Sequence, residues 1–323
     1  MAININLCTI FDENYALQGL TMIDSANEHF SGNINWHILA LTSKCEVNLK
    51  KLNLSSTTIY SLSDVNSVDL LKLSQSRKWS EFCFASGPIF LSFLSSILID
   101  GDILGYVDAD CYFLNDINLG LENFDHGIEI QIHEHRFSDD RIEWLQKSGR
   151  FNVGLVIGLV GRTFKKCLTR WQTQVIEDSS VDEIRGTCGD QKYLDEWPSL
   201  YESLKIMKSH GMGVAPWNLN NTKVSLKDNI FFVDADILVF YHFHGLCILL
   251  FNKFFAFWIA APGYFFQSST HYAIYKRYIK SMLKTQIKNQ NFFRVRIMKK
   301  KPKFILRAIL ERDLRFQYFS IFK

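Results

Sequence analysis

The sequence predicts an α/β fold, a sheet built from crossover connections with helices packed on it, and three observations carry that prediction. Apolar runs of strand length alternate with helically spaced apolar positions through the first hundred residues. Hydrophobic residues make up 47% of the 323 positions and aromatics 14%, including 27 Phe, enough to bury a large core. Neither an internal repeat nor a long linker interrupts residues 1–250, so that stretch reads as one domain and 251–323 as an extension.

The elements follow in order. Residues 3–11 form an apolar strand, and Asp12-Glu13-Asn14-Tyr15 leads into a helix with apolar positions at Leu20, Ile23, Ala26 and Phe30. Strands at 36–41 and 57–62 are each followed by a Leu-spaced helix, at 47–54 and 65–73, and a buried helix is expected at 82–99. The strand at 103–107 runs straight into Asp108-Ala109-Asp110. Strands are expected again at 127–132, 151–159, 204–208, 230–233 and 237–242, with helices at 163–176 and from Asp190. Residues 294–315 have the pattern of an amphipathic basic helix, its start limited by Pro302.

The formal charge of +3 hides an uneven distribution. Residues 276–323 hold 15 Lys or Arg against two acids, Glu311 and Asp313, a surplus of 13 that leaves −10 for residues 1–275. An acidic body with a basic, aromatic tail points the tail at an anionic surface. Phe292, Phe293, Phe304, Ile305 and Leu306 are the expected apolar contacts with a membrane interface, and Lys299, Lys300 and Lys301 the cationic ones. The alternative is a solvated charged helix closing the domain. No nucleic-acid motif accompanies the tail, so nucleic acid is not an expected partner. Seven scattered cysteines without a C-x-x-C fit a reducing cytosol rather than a disulfide framework or structural zinc. The N-terminus lacks a basic n-region, so no signal peptide is expected. The apolar stretch 246–266 is broken by Asn252-Lys253 and Pro262-Gly263, which argues against a membrane span. The expected location is the cytoplasm, peripheral on the inner face of the membrane.

Asp108 and Asp110 stand at i and i+2 where a strand ends, so both carboxylates project on one side. Ligands of open α/β sheets bind outside such carboxyl ends. Two carboxylates with spare coordination positions suit Mg²⁺ or Mn²⁺ that also binds substrate phosphates. Asp234-Ala235-Asp236 repeats the tripeptide between two apolar runs and reads as a solvated turn. Farther along, His242 and His244 share one face of a strand end before Gly245. A neutral imidazole there is a competent third ligand for Mn²⁺, and edge histidines satisfied by backbone carbonyls are the plainer reading.

Taken in order, these features resemble retaining GT-A glycosyltransferases of family eight, the group of glycogenin and bacterial lipooligosaccharide galactosyltransferases. The resemblance covers residues 2–245. It implies a GT-A fold with a single Rossmann-like mixed central sheet and places Asp12 and Tyr15 in the nucleotide-binding start, with Tyr15 on the base. Asp108-Ala109-Asp110 matches the metal motif, and Phe151-Asn152-Val153-Gly154 an F-N-A-G element whose Asn lies near the donor sugar. Asp190-Gln191 matches a D-Q pair at the reacting sugar carbon, and His242-Phe243-His244-Gly245 an H-x-x-G element whose first His is the metal's third ligand. The resemblance therefore implies Asp108, Asp110 and His242 as the metal set, Asp190 and Gln191 as catalytic residues, and Asp12, Tyr15, Asp108, Asn152 and Gly245 around the donor. It also implies a nucleotide-sugar donor, a glycan or glycolipid acceptor, and retention of configuration. A second carboxylate pair of the kind retaining hydrolases use is not evident.

Two departures stand out. The family's diphosphate Lys falls on Ile248, leaving Arg77, Lys78 or Lys253 to supply that charge, and its donor-contacting Arg is replaced within Phe84-Ala85-Ser86-Gly87. Ile132-His133-Glu134-His135-Arg136 and Ala215-Pro216-Trp217-Asn218 resemble motifs of a subgroup tied to surface polysaccharide, with a sugar-contacting or structural role expected. An aspartate-nucleophile phosphohydrolase would place its D-x-D after the first strand, followed by Thr or Val, which Cys111 and Tyr112 do not match. A sugar-binding scaffold of the same fold without turnover is the remaining alternative.

Overall fold

The computed structural model describes residues 4–65, 68–124, 127–251, 254–259, 268–294 and 316–320. Strand β1 (Asn4–Phe11) leads through α1 (Ala16–His29) to β2 (Asn33–Ala40), then α2 (Ser43–Lys51), β3 (Thr57–Tyr60), α3 (Val68–Ser76) and α4 (Trp79–Ile97). β4 (Ile103–Val107) and β5 (Cys111–Phe113) flank the first aspartate pair. β6 (Ile130–Glu134), α5 (Glu143–Ser148), β7 (Phe151–Leu159) and α6 (Arg162–Glu177) follow. A small hairpin of β8 (Val181–Asp182) and β9 (Thr187–Cys188) precedes α7 (Trp197–Leu200) and β10 (Leu204–Ile206). The chain continues through β11 (Val224–Lys227), β12 (Ile230–Val233), β13 (Asp236–Ile237) and β14 (Phe240–His242). Beyond them lie β15 (Leu246–Phe251), β16 (Phe254–Ile259), α8 (Ser269–Asn289) and β17 (Phe316–Ser320).

Seven strands form the main sheet in the order β10-β6-β7-β4-β1-β2-β3. All run in one direction except β7, which is antiparallel to both β4 and β6. The sheet is therefore mixed, as the α/β reading with its GT-A expectation requires. β7 is buried along nearly its whole length, and so is β1, which is why both read as near-continuous apolar runs.

Helices cover both faces. α6 buries Phe164, Cys167, Leu168, Trp171 and Val175, one stripe at helical spacing. Removing a fully buried Trp such as Trp171 costs about 3–5 kcal/mol. α4 is, among the described residues, the helix long and apolar enough to cross a membrane by composition, yet most of it is buried in this core.

Several expectations shift. The helix expected from Asp190 is a 3₁₀ stretch, Gln191–Glu196, before α7. The strand expected at 237–242 is broken at Leu238 and Val239, which turn between β13 and β14. The segment 246–259 pairs as the hairpin β15–β16, extended by β17. The amphipathic helix expected at 294–315 lies outside the described residues apart from Arg294. α8 packs against α1, and Ile274, Tyr275, Tyr278, Met282 and Phe293 belong to the same core as β1 and β5. Phe293 is 2% exposed, which corrects its assignment to a membrane interface: the core has already taken that ring.

Candidate metal centre

The centre begins with β4, a central strand whose last residue is buried while the two aspartates beyond it are half-buried. The backbone turns at Asp108-Ala109-Asp110, where the Cys111 N–H donates to the Asp108 carbonyl at 3.1 Å, and leaves as β5. β14 pairs antiparallel with β5, setting His242 opposite Cys111. Phe243 N–H donates to the Asp110 carbonyl at 2.9 Å and His242 N–H to the Val214 carbonyl at 2.7 Å. This ladder brings the imidazole-bearing stretch to the acidic one.

His242 Nε2 stands 3.0 Å from Asp110 Oδ1 and 3.8 Å from Asp108 Oδ2. Asp110, His242 and His244 each offer a ligand atom, all within 4.8 Å of one another. The structure thus brings Asp108, Asp110 and His242 together and adds His244, which the family pattern passed over. The i, i+2 spacing of the two histidines was the available signal.

Asn152, near the start of β7, organises the interior side. Its Oδ1 accepts from Gly154 N–H at 2.9 Å and lies 3.2 Å from His242 Nδ1. Its Nδ2 donates to Gln191 Oε1 at 3.2 Å and faces His135 Nε2 at 3.2 Å, while His135 Nδ1 faces the Gly149 carbonyl at 3.0 Å. One proton assignment satisfies the chain: His135 and His242 both carry the proton on Nδ1. That leaves the His242 Nε2 lone pair toward the aspartates, the arrangement by which an outer partner fixes a metal-binding tautomer. A Cβ on Gly154 would sit 2.8 Å from Asn152 Oδ1 and 2.9 Å from His242 Nδ1, so this glycine keeps the contact open.

Electrostatics match a cation site. Burial is the largest influence on Asp108 and, with Asp110 beside it, raises its pKa to about 6 against the pull of His242 and the Tyr106 hydroxyl, which donates to Oδ1 at 2.9 Å. Burial also opposes ionisation of Asp110, but His242 outweighs it and the pKa falls. Burial works against the His242 imidazolium too, and Asp110 followed by Asp108 reverse the sign and raise its pKa. Asp190, 6% exposed, is pushed well above the carboxylate range by burial and then by the charge of Asp108. Crowded carboxylates beside imidazole nitrogens form a donor set that a divalent oxygen- and nitrogen-binding ion fits.

The other expected residues surround this core. Trp171 of α6 donates its Nε1–H to the Asp190 carbonyl at 2.8 Å, tying the D-Q pair to a packed helix. Tyr15, 45% exposed, lines a cleft with Asp110, Gly245, Tyr278 and Met282. Gly245 has φ +73, a left-handed turn that glycine enters without strain. Asp12 is turned into its own loop, where its carboxylate accepts from Asn14 N–H and Nδ2–H and from Tyr15 N–H, and so shapes the Tyr15 turn. Arg77 donates to the Ile176 and Glu177 carbonyls at the end of α6. Lys78 is exposed and lies 3.5 Å from Glu81, and Lys253 lies outside the described residues. In the segment 84–87 that stands where the family has its Arg motif, buried Ser86 falls on the Arg position and donates to the Phe82 carbonyl at 2.7 Å. Gly87 packs against Tyr106, with 3.1 Å between the ring and a Cβ built there.

No protein-family model matches the chain. Two relatives in Bacillus subtilis strain 168, the uncharacterized proteins YfnD and YfnF, are each 28% identical. YfnD aligns over 249 residues, 76% of this chain and 79% of its own; YfnF over 258, 76% and 83%. Among solved structures, the galactosyltransferase LgtC in complex with donor and acceptor sugar analogues superposes with a TM-score of 0.54. That match covers 93% of this chain and 99% of LgtC at 10% identity. An active-site mutant of LgtC gives 0.53, over 87% and 96%, also at 10% identity. The fold is that of a GT-A glycosyltransferase. On this GT-A scaffold the aspartates sit where the sheet's parallel strands end.

Sequence reasoning missed several neighbours. Trp217 stands edge-on to His135, His242 and His244, with ring centroids 5.3, 5.3 and 5.9 Å away. Asn218 donates to the His135 and Gly213 carbonyls, so the Ala215–Asn218 turn is fastened to the segment after β6. Both segments had been singled out by motif, but only the folded chain shows that they form one wall.

Proposed function

We propose that this chain is a metal-dependent, retaining hexosyltransferase that moves a sugar from a nucleotide diphosphate, UDP as the expected nucleotide, to a glycan or lipid-linked acceptor in surface polysaccharide synthesis. The observation that carries the reading is the meeting of Asp108 and Asp110 with His242 across the β5–β14 ladder. Asp108, Asp110 and His242, with His244 within reach, would hold Mn²⁺ or Mg²⁺. Such an ion supplies Lewis-acid neutralisation of the charge that grows on a departing diphosphate.

The chain's own residues do the rest. Asn152 holds the His242 ring and, through its other end, the Gln191 amide, so donor-side and sugar-side groups are positioned by one side chain. Asp190 and Gln191 present a carboxyl and an amide to positive character at the anomeric carbon. The Tyr15 ring offers a face to the base. The basic segment beyond Arg294 would hold the protein on the cytoplasmic face of an anionic membrane, each cation adding about 1 kcal/mol near the surface. Support for that anchor is compositional.

One observation favours the binding-only alternative: Arg77 is engaged by α6, and the family's diphosphate Lys is Ile248. Release of free nucleoside diphosphate from a panel of nucleotide sugars, with and without Mn²⁺, separates the two. Metal-dependent release from one donor is expected. Donor binding without release in any acceptor mixture assigns the chain to the scaffold class.

A further inference from the structure

A groove of about 490 Å³ opens at the carboxyl ends of β6 and β10, beside the start of β7. β10 and β6 are parallel, and both run with β4, because β7 is antiparallel to β4 and to β6. The groove and Asp108 therefore lie along the same edge of the sheet. Two chain segments join them: Arg136 follows His135 directly, Arg150 precedes Asn152 by two residues, and His135 and Asn152 touch at 3.2 Å.

The walls carry Arg136, Arg150, Lys205 and Lys208 against the carboxylate of Glu134. His210 also lines the groove and is engaged by Asp234 at 2.9 Å. Arg150 is paired with Glu134, and Lys205 lies 3.7 Å from Glu122. Arg136 instead donates to the Ser209 and Met212 carbonyls, and Lys208 is exposed with no ion pair among the described residues. Lys208 thus faces the groove without an ion pair, while Arg136, held by backbone carbonyls, has Glu134 as its strongest charge influence, followed by Asp236 and Asp234. The first 275 residues of the chain carry −10, so this concentration of positive charge is local. A positive recess in an acidic body gathers and orients anions.

We infer that this groove receives an acidic group, a carboxylate or a phosphate, carried by the acceptor glycan; the inference rests on the glycosyl-transfer reading above. The charge-bearing sugar would dock on Lys205, Lys208 and Arg136 while another sugar of the same acceptor extends along the sheet edge toward the metal centre. Titration calorimetry of the full chain in EDTA, with trigalacturonate, galactose 6-phosphate and neutral maltotriose as probes, tests it. Saturable binding of an acidic probe, and none of maltotriose, is expected. Preference for trigalacturonate identifies a carboxylate source, and preference for the phosphosugar a phosphate source.

In a Lys205→Glu/Lys208→Glu double variant, affinity for the acidic probe should fall about tenfold or more, as loss of charge complementarity predicts. Mn²⁺–UDP binding, measured on portions of the same preparations after exchange out of EDTA, should be unchanged, which also shows that the variant is folded. Equal binding of maltotriose, failure of both acidic probes at millimolar concentration, or unaltered affinity in the double variant overturns the inference. Failure of the unsubstituted chain to bind any of the Mn²⁺–nucleoside diphosphates of the nucleotide-sugar panel would instead remove the glycosyl-transfer reading, whatever the groove binds.

Discussion

Asp108-Ala109-Asp110 and Asp234-Ala235-Asp236 are one tripeptide in two settings, and a histidine has come to each. The first follows a central strand, and its carboxylates meet His242, which is 5% exposed. The second makes the tight turn between β12 and β13, where Val233 pairs with Asp236. Asp234 adopts φ +56 there, a left-handed conformation that Asp tolerates better than most residues. Its carboxylate accepts from Lys223 N–H and contacts the exposed His210, and that backbone bond, more than the histidine, lowers its pKa. Burial makes the difference. In the first setting, desolvation and a second carboxylate drive Asp108 up to about 6, so bringing in a cation relieves a cost. In the second, water and backbone donors already satisfy the charge.

The same substitution at both places gives the largest contrast. Asp110→Asn should lower metal-dependent nucleotide release by more than about 100-fold, beyond the roughly 10–100-fold that loss of an outer partner costs. Near-normal turnover in that variant would take the metal out of the mechanism. Next comes Asn152→Ala, which leaves the buried His242 ring without its Nδ1 partner. Metal affinity, read by Mn²⁺ electron paramagnetic resonance, should weaken about 10–100-fold while the fold persists. Unchanged affinity would mean that the aspartates alone orient the site.

A pH titration sharpens the contrast between histidines. Burial lowers the pKa of His37 to about 4, of His271 to about 4 and of His135 to about 3, all below the ordinary 6.5. On acidification the unfolded chain therefore takes up these protons first. Their stabilising effect is complete above pH about 6.5 and is lost as pH falls toward 4. His242 behaves oppositely in metal-free protein, because its raised pKa favours the folded state below 6.5 and that contribution disappears as pH rises through the folded value. Denaturant melts of metal-free protein should show net loss of stability from pH 6.5 to 4, and carbon NMR of the His rings should show His242 titrating after His37, His135 and His271 as base is added. The smallest effect is Asp234→Asn, with stability within about 0.5 kcal/mol of wild type and turnover unchanged. A large loss of turnover there would erase the distinction between the two tripeptides.

Much of this was legible before folding. Continuous apolar runs announced the central strands, and the Leu, Phe and Trp spacing of α6 announced its buried stripe, because periodicity reports burial directly. The positions of Asp108, Asp110 and His242 were legible from motif order. His244 was present in the sequence as an i, i+2 partner, but its convergence on Asp110 depends on how β14 turns at Gly245. The aromatic wall of Trp217 and the hub at Asn152 were not legible as contacts, since no local pattern states which distant carbonyl or ring a side chain will meet. Phe293 shows the opposite failure: a basic, aromatic segment looked like an interface, and the core had claimed one of its rings.

The helix α8 has a practical consequence for anyone trimming this protein. Its Tyr278 stacks on Phe243 at 3.9 Å between ring centroids, and Tyr278 and Met282 face the same recess as Tyr15 and Asp110. A shortened chain that stops before 276 to shed its positive charge would also strip a side from the Tyr15 recess, and lost vesicle attachment could not be told from a damaged fold. A cut after Arg294 removes most of the cationic run and leaves Tyr278 and Met282 in the recess, and it also takes β17 from the edge of β16.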